Sequence, residues 1–134
     1  MPGSFIDTDV LGYVASGDPA KAERAEKIIA EGGTISVQVL NELANVARRK
    51  MRMNWPETHA LLSMIRALLP VQPITVEIHE TGLALAERYG LSIYDAMIAV
   101  SALHAECETL WSEDMHDGIV IQDRLRIANP FRAG

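Results

Sequence analysis

Short apolar runs alternate with longer stretches of helical periodicity along this chain. Phe5 and Ile6 form the first run and predict a buried strand over residues 4–7. Residues 9–15 follow as a first short helix. Asp18-Pro19 is an N-cap with proline at the first helical position, opening a helix to residue 30. Glu31-Gly32-Gly33 breaks it, and residues 34–37 form a second strand. Leu40, Leu43, Ala44 and Ala47 recur at helical spacing within a helix over 38–53. Asn54, with Pro56 two residues on, starts another helix to residue 69, which Pro70 ends. Residues 71–74 form a short third strand. Thr75 caps a helix containing Ile78, Leu83, Leu85 and Ala86 and ended by Gly90. Residues 94–106 form a helix apolar nearly all round, hence buried. Residues 109–112 and 119–121 are the remaining strands, and the tail 127–131 is expected along a sheet edge.

This alternation of strand and helix predicts an α/β fold with a parallel sheet. With 134 residues, 49% of them hydrophobic, the chain is expected to be one domain, 1–134, with a core that needs no staples. Cys107 is the single cysteine, so no intramolecular disulfide can form, which suits a reducing, cytoplasmic setting. No apolar run is long enough to span a membrane, and no basic segment precedes an apolar one at the start, so no signal peptide is expected.

The chemistry lies in four acidic residues at comparable junctions. Asp7 closes the first apolar run, where packing gives no reason for a charge. Glu42 follows the second strand, Asp95 opens the buried helix, and Asp114 follows Thr109-Leu110-Trp111-Ser112. In an open parallel sheet the C-terminal strand ends share an edge, and ligand sites form there. Carboxylates gathered at one edge repel and require a cation or protonation. All-oxygen donors without Cys or paired His select Mg²⁺ or Mn²⁺. Such a centre suits phosphodiester hydrolysis by a metal-activated water.

Four blocks carry a family resemblance. Phe5-Ile6-Asp7-Thr8, Ser36-Val37-Gln38-Val39-Leu40-Asn41-Glu42-Leu43, Leu91-Ser92-Ile93-Tyr94-Asp95-Ala96-Met97-Ile98-Ala99 and Leu110-Trp111-Ser112-Glu113-Asp114-Met115 resemble the PIN domain, and most of all the bacterial toxins of VapC type. The resemblance implies a three-layer α/β/α fold with a central, mostly parallel sheet flanked by helices. It implies Mg²⁺- or Mn²⁺-dependent endoribonuclease activity, RNA as substrate, a homodimer, and a cognate VapB-like antitoxin. Carried over by position, Asp7, Glu42, Asp95 and Asp114 are the catalytic, metal-holding quartet, and Asp117 is a fifth candidate ligand. Thr8 and Ser112 support the carboxylates by hydrogen bonds. Glu113 is read as a solvated neighbour, and Asp9 as the cap of the first helix.

A net charge of −6 opposes nucleic-acid binding at face value, but a bound cation would neutralise much of it. Four of the 12 Lys and Arg fall in Arg48-Arg49-Lys50-Met51-Arg52. Arg48, Arg49 and Arg52 are therefore substrate-binding candidates, balanced against a solvated helix end. Trp55 beside them is a candidate for base stacking or for packing, and His116 is a candidate substrate contact. His59, His79 and His104 lack metal-ligand spacing. Two other readings remain. A catalytically idle PIN-type RNA- or protein-binding module is one. The other is a haloacid-dehalogenase-like phosphatase with Asp7 as nucleophile and Asp9 as acid. The second needs a lysine late in the chain, and the only lysines are Lys21, Lys27 and Lys50.

Overall fold

The computed structural model describes residues 3–132. Strand β1 (Gly3–Ile6) leads directly into helix α1 (Thr8–Gly12) and a 3₁₀ turn, Tyr13–Ala15. Helix α2 (Pro19–Glu31) starts where Asp18 accepts the Lys21 backbone N–H. Strand β2 (Ile35–Ser36) then passes into α3 (Val37–Arg49). The Ser36 hydroxyl accepts the Val39 N–H, so the helix begins at Val37, which the sequence pattern assigns to the strand. It ends at Arg49, short of residue 53, with Lys50 as its C-cap, and Arg52 then takes a left-handed turn, φ 54°.

Helix α4 (Trp55–Leu68) opens with a reciprocal capping box between Asn54 and Glu57. Strand β3 (Val71–Gln72) precedes α5 (Val76–Tyr89), which Gly90 closes in the left-handed conformation. Helix α6 (Ile93–His104) has eight consecutive buried residues, Ala96–Leu103, as its apolar pattern predicts. Helix α5 packs along it because Gly82 carries no side chain: a Cβ there would lie 2.6 Å from Met97 Sδ.

The main sheet has the order β1-β4-β6-β5, with β4 at Cys107–Trp111, β5 at Val120–Ile121 and β6 at Leu125–Ala128. The β1/β4 and β4/β6 pairs are parallel and β5/β6 is antiparallel. The fold class is therefore as expected: α/β, with a central, mostly parallel sheet flanked by helices. The tail differs from expectation. Residues 125–128 do not line an edge but form a strand inside the sheet, between β4 and β5. Leu125 and Ile127 alternate inward with Arg126 outward, a period-2 signal shortened by the turn at Gln122 and Asp123.

Strands β2 and β3 form a second, parallel pair, which continues the main sheet beside β1. Thr34 N donates to Ser4 O at 2.9 Å, and Ile6 N donates to Thr34 O at 3.1 Å. Strands β3, β2, β1, β4 and β6 thus end on one side, and Phe5, Ile6, Ile35, Leu110 and Ile127 beneath them are fully buried.

The close approach of β2 to β1 depends on Gly33. A Cβ at that position would lie 2.9 Å from Ile6 Cδ1 and 3.2 Å from Ser4 O, and neither a buried isoleucine nor a paired backbone oxygen can retreat. Gly33→Ala is expected to destabilise the protein by about 1–3 kcal/mol, read as a lower urea midpoint with unchanged slope. An unchanged midpoint would show that the two strands can separate without loss.

Candidate active site

Asp7 is placed by the sheet itself. Its N–H donates to Trp111 O at 3.0 Å, extending the β1/β4 ladder by one residue and setting Asp7 beside Ser112. Asp7 Oδ1 accepts the Thr8 N–H at 2.7 Å, capping α1, and Oδ2 accepts the Ser112 hydroxyl at 2.8 Å. The residue is 5% exposed. Burial pushes its carboxyl well above the usual range, and the charges of Asp9 and Asp95 push it further. Hydrogen bonds from Ser112 and Thr8 oppose this without cancelling it.

Glu42 lies in the second turn of α3 and reaches the same edge. Its Oε1 accepts the Thr8 hydroxyl at 3.1 Å, and Oε2 accepts Gln38 Nε2 at 2.6 Å from one turn earlier. Asp95 sits in the first turn of α6, where its N–H donates to Ser92 Oγ at 3.1 Å. Its carboxyl is half-buried and raised by that burial, then by the charges of Glu42 and Asp114. Asp114 is exposed, in the turn after β4. Met115 N donates to Ser112 Oγ at 3.3 Å and helps close that turn.

The four acids are thus electrostatic neighbours drawn from β1, α3, α6 and the turn after β4. Glu42 and Asp95 line an open cleft of about 600 Å³ with Asn41, Asn45 and Tyr94. Among the described residues, no three acidic, histidine or cysteine side chains are gathered closely enough to hold a metal ion as they stand. The donor set nonetheless suits a hard divalent cation in its chemistry: it is all carboxylate, and within it Asp7 and Asp95 are raised toward protonation by burial and by the neighbouring acids.

Asp9 is a member that the sequence pattern misassigns. Asp7, not Asp9, caps α1. Asp9 crosses to the turn after β4, where its Oδ2 accepts the backbone N–H groups of Glu113 at 3.0 Å and Asp114 at 2.9 Å. Its Oδ1 is buried without a partner, and burial followed by the Asp114 charge raises the carboxyl to about 6. Only its proximity to Asp7 in sequence hinted at this, because the contact joins opposite ends of the chain.

Glu113 is not a solvated neighbour. It accepts Tyr13 OH at 2.6 Å and Lys21 Nζ at 2.5 Å, while Lys21 also donates to Tyr13 OH at 3.1 Å. Burial raises the Glu113 carboxyl, but the Lys21 and Tyr13 hydrogen bonds outweigh it and hold it below the ordinary range. Tyr13 and Phe131 pack edge to face at 4.9 Å, and Arg24 Nε donates to Pro130 O at 3.0 Å, tying the tail to the same cluster.

Asp117 has other partners. Its Oδ1 accepts Asn129 N at 2.8 Å, and its Oδ2 lies 3.4 Å from Arg132 Nη1. His116 is exposed in the adjoining loop. Arg48 and Arg49 lie in the last turn of α3, about two turns past Glu42, and Arg52 lies beyond its end.

Comparison with known proteins places the fold. The PIN domain profile matches residues 4–116, a span holding Asp7, Glu42, Asp95 and Asp114. The chain belongs to the PIN domain family. Among solved structures, this PIN domain resembles a toxin–antitoxin complex from Klebsiella pneumoniae, with 22% identity, a TM-score of 0.71, and coverage of 98% of this chain and 100% of that one. It also resembles Mycobacterium tuberculosis VapC20, described as a sarcin-ricin-loop-cleaving toxin. That match has 18% identity, a TM-score of 0.70, and coverage of 84% and 90%. FitAcB of Neisseria gonorrhoeae matches with 16% identity, a TM-score of 0.66, and coverage of 97% and 99%. At these identities the likeness establishes the fold. No curated protein sequence matches the chain.

The raised carboxyls of this PIN domain make its stability pH-dependent. For Asp9, the folded state binds more protons than the unfolded state between the ordinary 3.8 and about 6. Its contribution therefore falls as pH rises through that window and is gone above it. Metal-free protein is expected to be less stable at pH 7.5 than at pH 5 by on the order of 1–3 kcal/mol, read as a lower melting temperature. Asp7→Asn is expected to flatten the slope and to raise the melting temperature at pH 7.5. A melting temperature that rises from pH 5 to pH 7.5 would contradict the burial of these carboxyls.

Proposed function

We propose that this protein is a Mg²⁺- or Mn²⁺-dependent endoribonuclease and the toxin of a VapBC-type toxin–antitoxin pair. The observation that carries this reading is the buried Asp7, anchored by Thr8 and Ser112 beside Glu42, Asp95 and Asp114. PIN family membership supports it, as does likeness to VapC20 and to a toxin–antitoxin complex. No described helix is long and apolar enough to cross a membrane.

Asp7, Glu42, Asp95 and Asp114 would hold the cation. Asp117, occupied by Asn129 and Arg132, would have to release them to join. When bound, the cation supplies an acidified water and neutralises charge on the phosphodiester. The protein supplies the rest. Ser112 and Thr8 fix the orientation of Asp7, and Thr8 with Gln38 fixes Glu42. Glu42 or Asp114 would orient the attacking water. Asp9 holds the backbone from which Asp114 projects.

The same reading carries a cognate VapB-like antitoxin and a homodimer, and exposed Met64, Leu68, Val76 and Leu83 offer apolar surface for such partners. An idle binding module would have no use for a buried Asp7 that costs stability at neutral pH.

Purified, antitoxin-free protein is expected to cut cellular RNA into discrete fragments with Mg²⁺ or Mn²⁺, and not in EDTA. Asp7→Asn and Asp95→Asn should each lower the cleavage rate by about 100-fold or more while leaving the far-UV circular dichroism unchanged. Cleavage by both variants at the parent rate would remove these residues from the site. Absence of cleavage by folded parent protein would favour the binding module.

A further inference from the structure

The cations at the end of α3 stand apart in an acidic chain. Among the described residues, Arg48, Arg49, Lys50 and Arg52 have no acidic partner within ion-pair distance. Beside them Trp55 is 58% exposed, a large apolar area to leave in water. It is also rigidly presented. As the first residue of α4, it follows the capping box in which Asn54 Oδ1 accepts Glu57 N at 2.8 Å and Glu57 Oε1 accepts Asn54 N at 2.9 Å.

The Arg48 guanidinium lies 4.2 Å from the indole centroid, and its Nη1 donates to Met53 O at 2.7 Å. Indole and guanidinium therefore form a cation–π pair, and the His59 ring lies on the same indole with its centroid 6.1 Å away. Ala44, Asn45, Arg48, Arg49 and Trp55 enclose a shallow pocket of about 450 Å³. Asn45 also lines the cleft containing Glu42 and Asp95, so the two depressions share a wall. Along α3, Glu42 and Arg49 are separated by about 10 Å of helix rise.

We propose that this pocket is a subsite for one unstacked nucleobase and its adjoining phosphate, on a single-stranded RNA that continues into the carboxylate cleft. This rests on the nuclease reading for the identity of the cleft, but not for the pocket's own chemistry. The indole–guanidinium pair takes a further planar group, the base. Asn45 offers an amide to the base edge, and Arg49 offers charge to the phosphate. A base paired within a duplex is stacked on its neighbours and cannot reach the ring. The subsite thus selects single strands, loops or bulges. It also gives the polyanion a cationic hold beside a cluster of carboxylates that would otherwise repel it.

Binding is measured in EDTA, where cleavage is off, with a fluorescein-labelled single-stranded RNA and with the same sequence as a duplex. Anisotropy should show tighter binding of the single strand. Trp55→Ala should weaken it about 5- to 100-fold, in line with loss of one base–aromatic stack. Arg49→Ala should lower the slope of log K against log salt by about one. The chain has two tryptophans, so in a Trp111→Phe background the single strand should quench Trp55 emission and the duplex should not.

Single-strand binding that is indifferent to Trp55→Ala and leaves Trp55 emission unchanged would overturn the subsite and leave this face to a protein partner, whatever the cleavage assay shows. Trp55-dependent binding in a protein that cleaves nothing with Mg²⁺ or Mn²⁺ would support the subsite and sink the nuclease reading instead.

Discussion

Asp7 joins two neighbouring parallel strands at their C-terminal ends. One carboxylate oxygen caps the helix that leaves β1, and the other receives the hydroxyl at the end of β4. Almost everything else in the site is arranged around this buried charge. Its own backbone N–H extends the sheet, so its position follows from strand register rather than from a loop. A carboxylate in this position is disfavoured by burial and by the acids around it. Two hydrogen bonds soften that penalty without removing it. A cation, or protonation in its absence, would relieve burial and repulsion together.

The remaining acids are held in ways that differ in stiffness. Glu42 is gripped at both oxygens by Thr8 and Gln38. Asp95 rides on the first turn of a helix whose body is locked in the core. Asp114 is on a turn, but that turn is pinned from two sides. Asp9 accepts its backbone N–H groups, and the Tyr13, Lys21 and Glu113 cluster anchors the neighbouring residue. A site built from one buried and three more open carboxylates can keep its shape without metal and still adjust when one arrives.

The parts of this account legible in the sequence were those with a local cause. Helix starts at Asp18, Asn54 and Thr75 are written in short polar side chains that accept backbone N–H groups a turn ahead. The buried character of α6 is written in its unbroken apolar run. The four junctional acids were visible because a charge at the end of an apolar strand, or in the helix that opens beside one, needs a reason. Asp9 was misread because its partners, Glu113 and Asp114, are far along the chain and are backbone groups, which leave no trace in residue type. The Glu113 cluster was hidden for the same reason. Strand β6 was missed because its pairing with β4 places a short, mixed segment inside the sheet, where tertiary contacts override a weak local pattern.

The most direct test of the central claim is calorimetric titration of Mn²⁺ into metal-free protein, at pH 6.0 and pH 7.5, in buffers of differing ionisation enthalpy. The carboxylate cluster predicts binding that is tighter at pH 7.5, is accompanied by proton release at pH 6.0, and is abolished in Asp7→Asn. Mn²⁺ binding that is equal in parent and Asp7→Asn, or absent from folded parent protein, would contradict a cation site at this sheet edge.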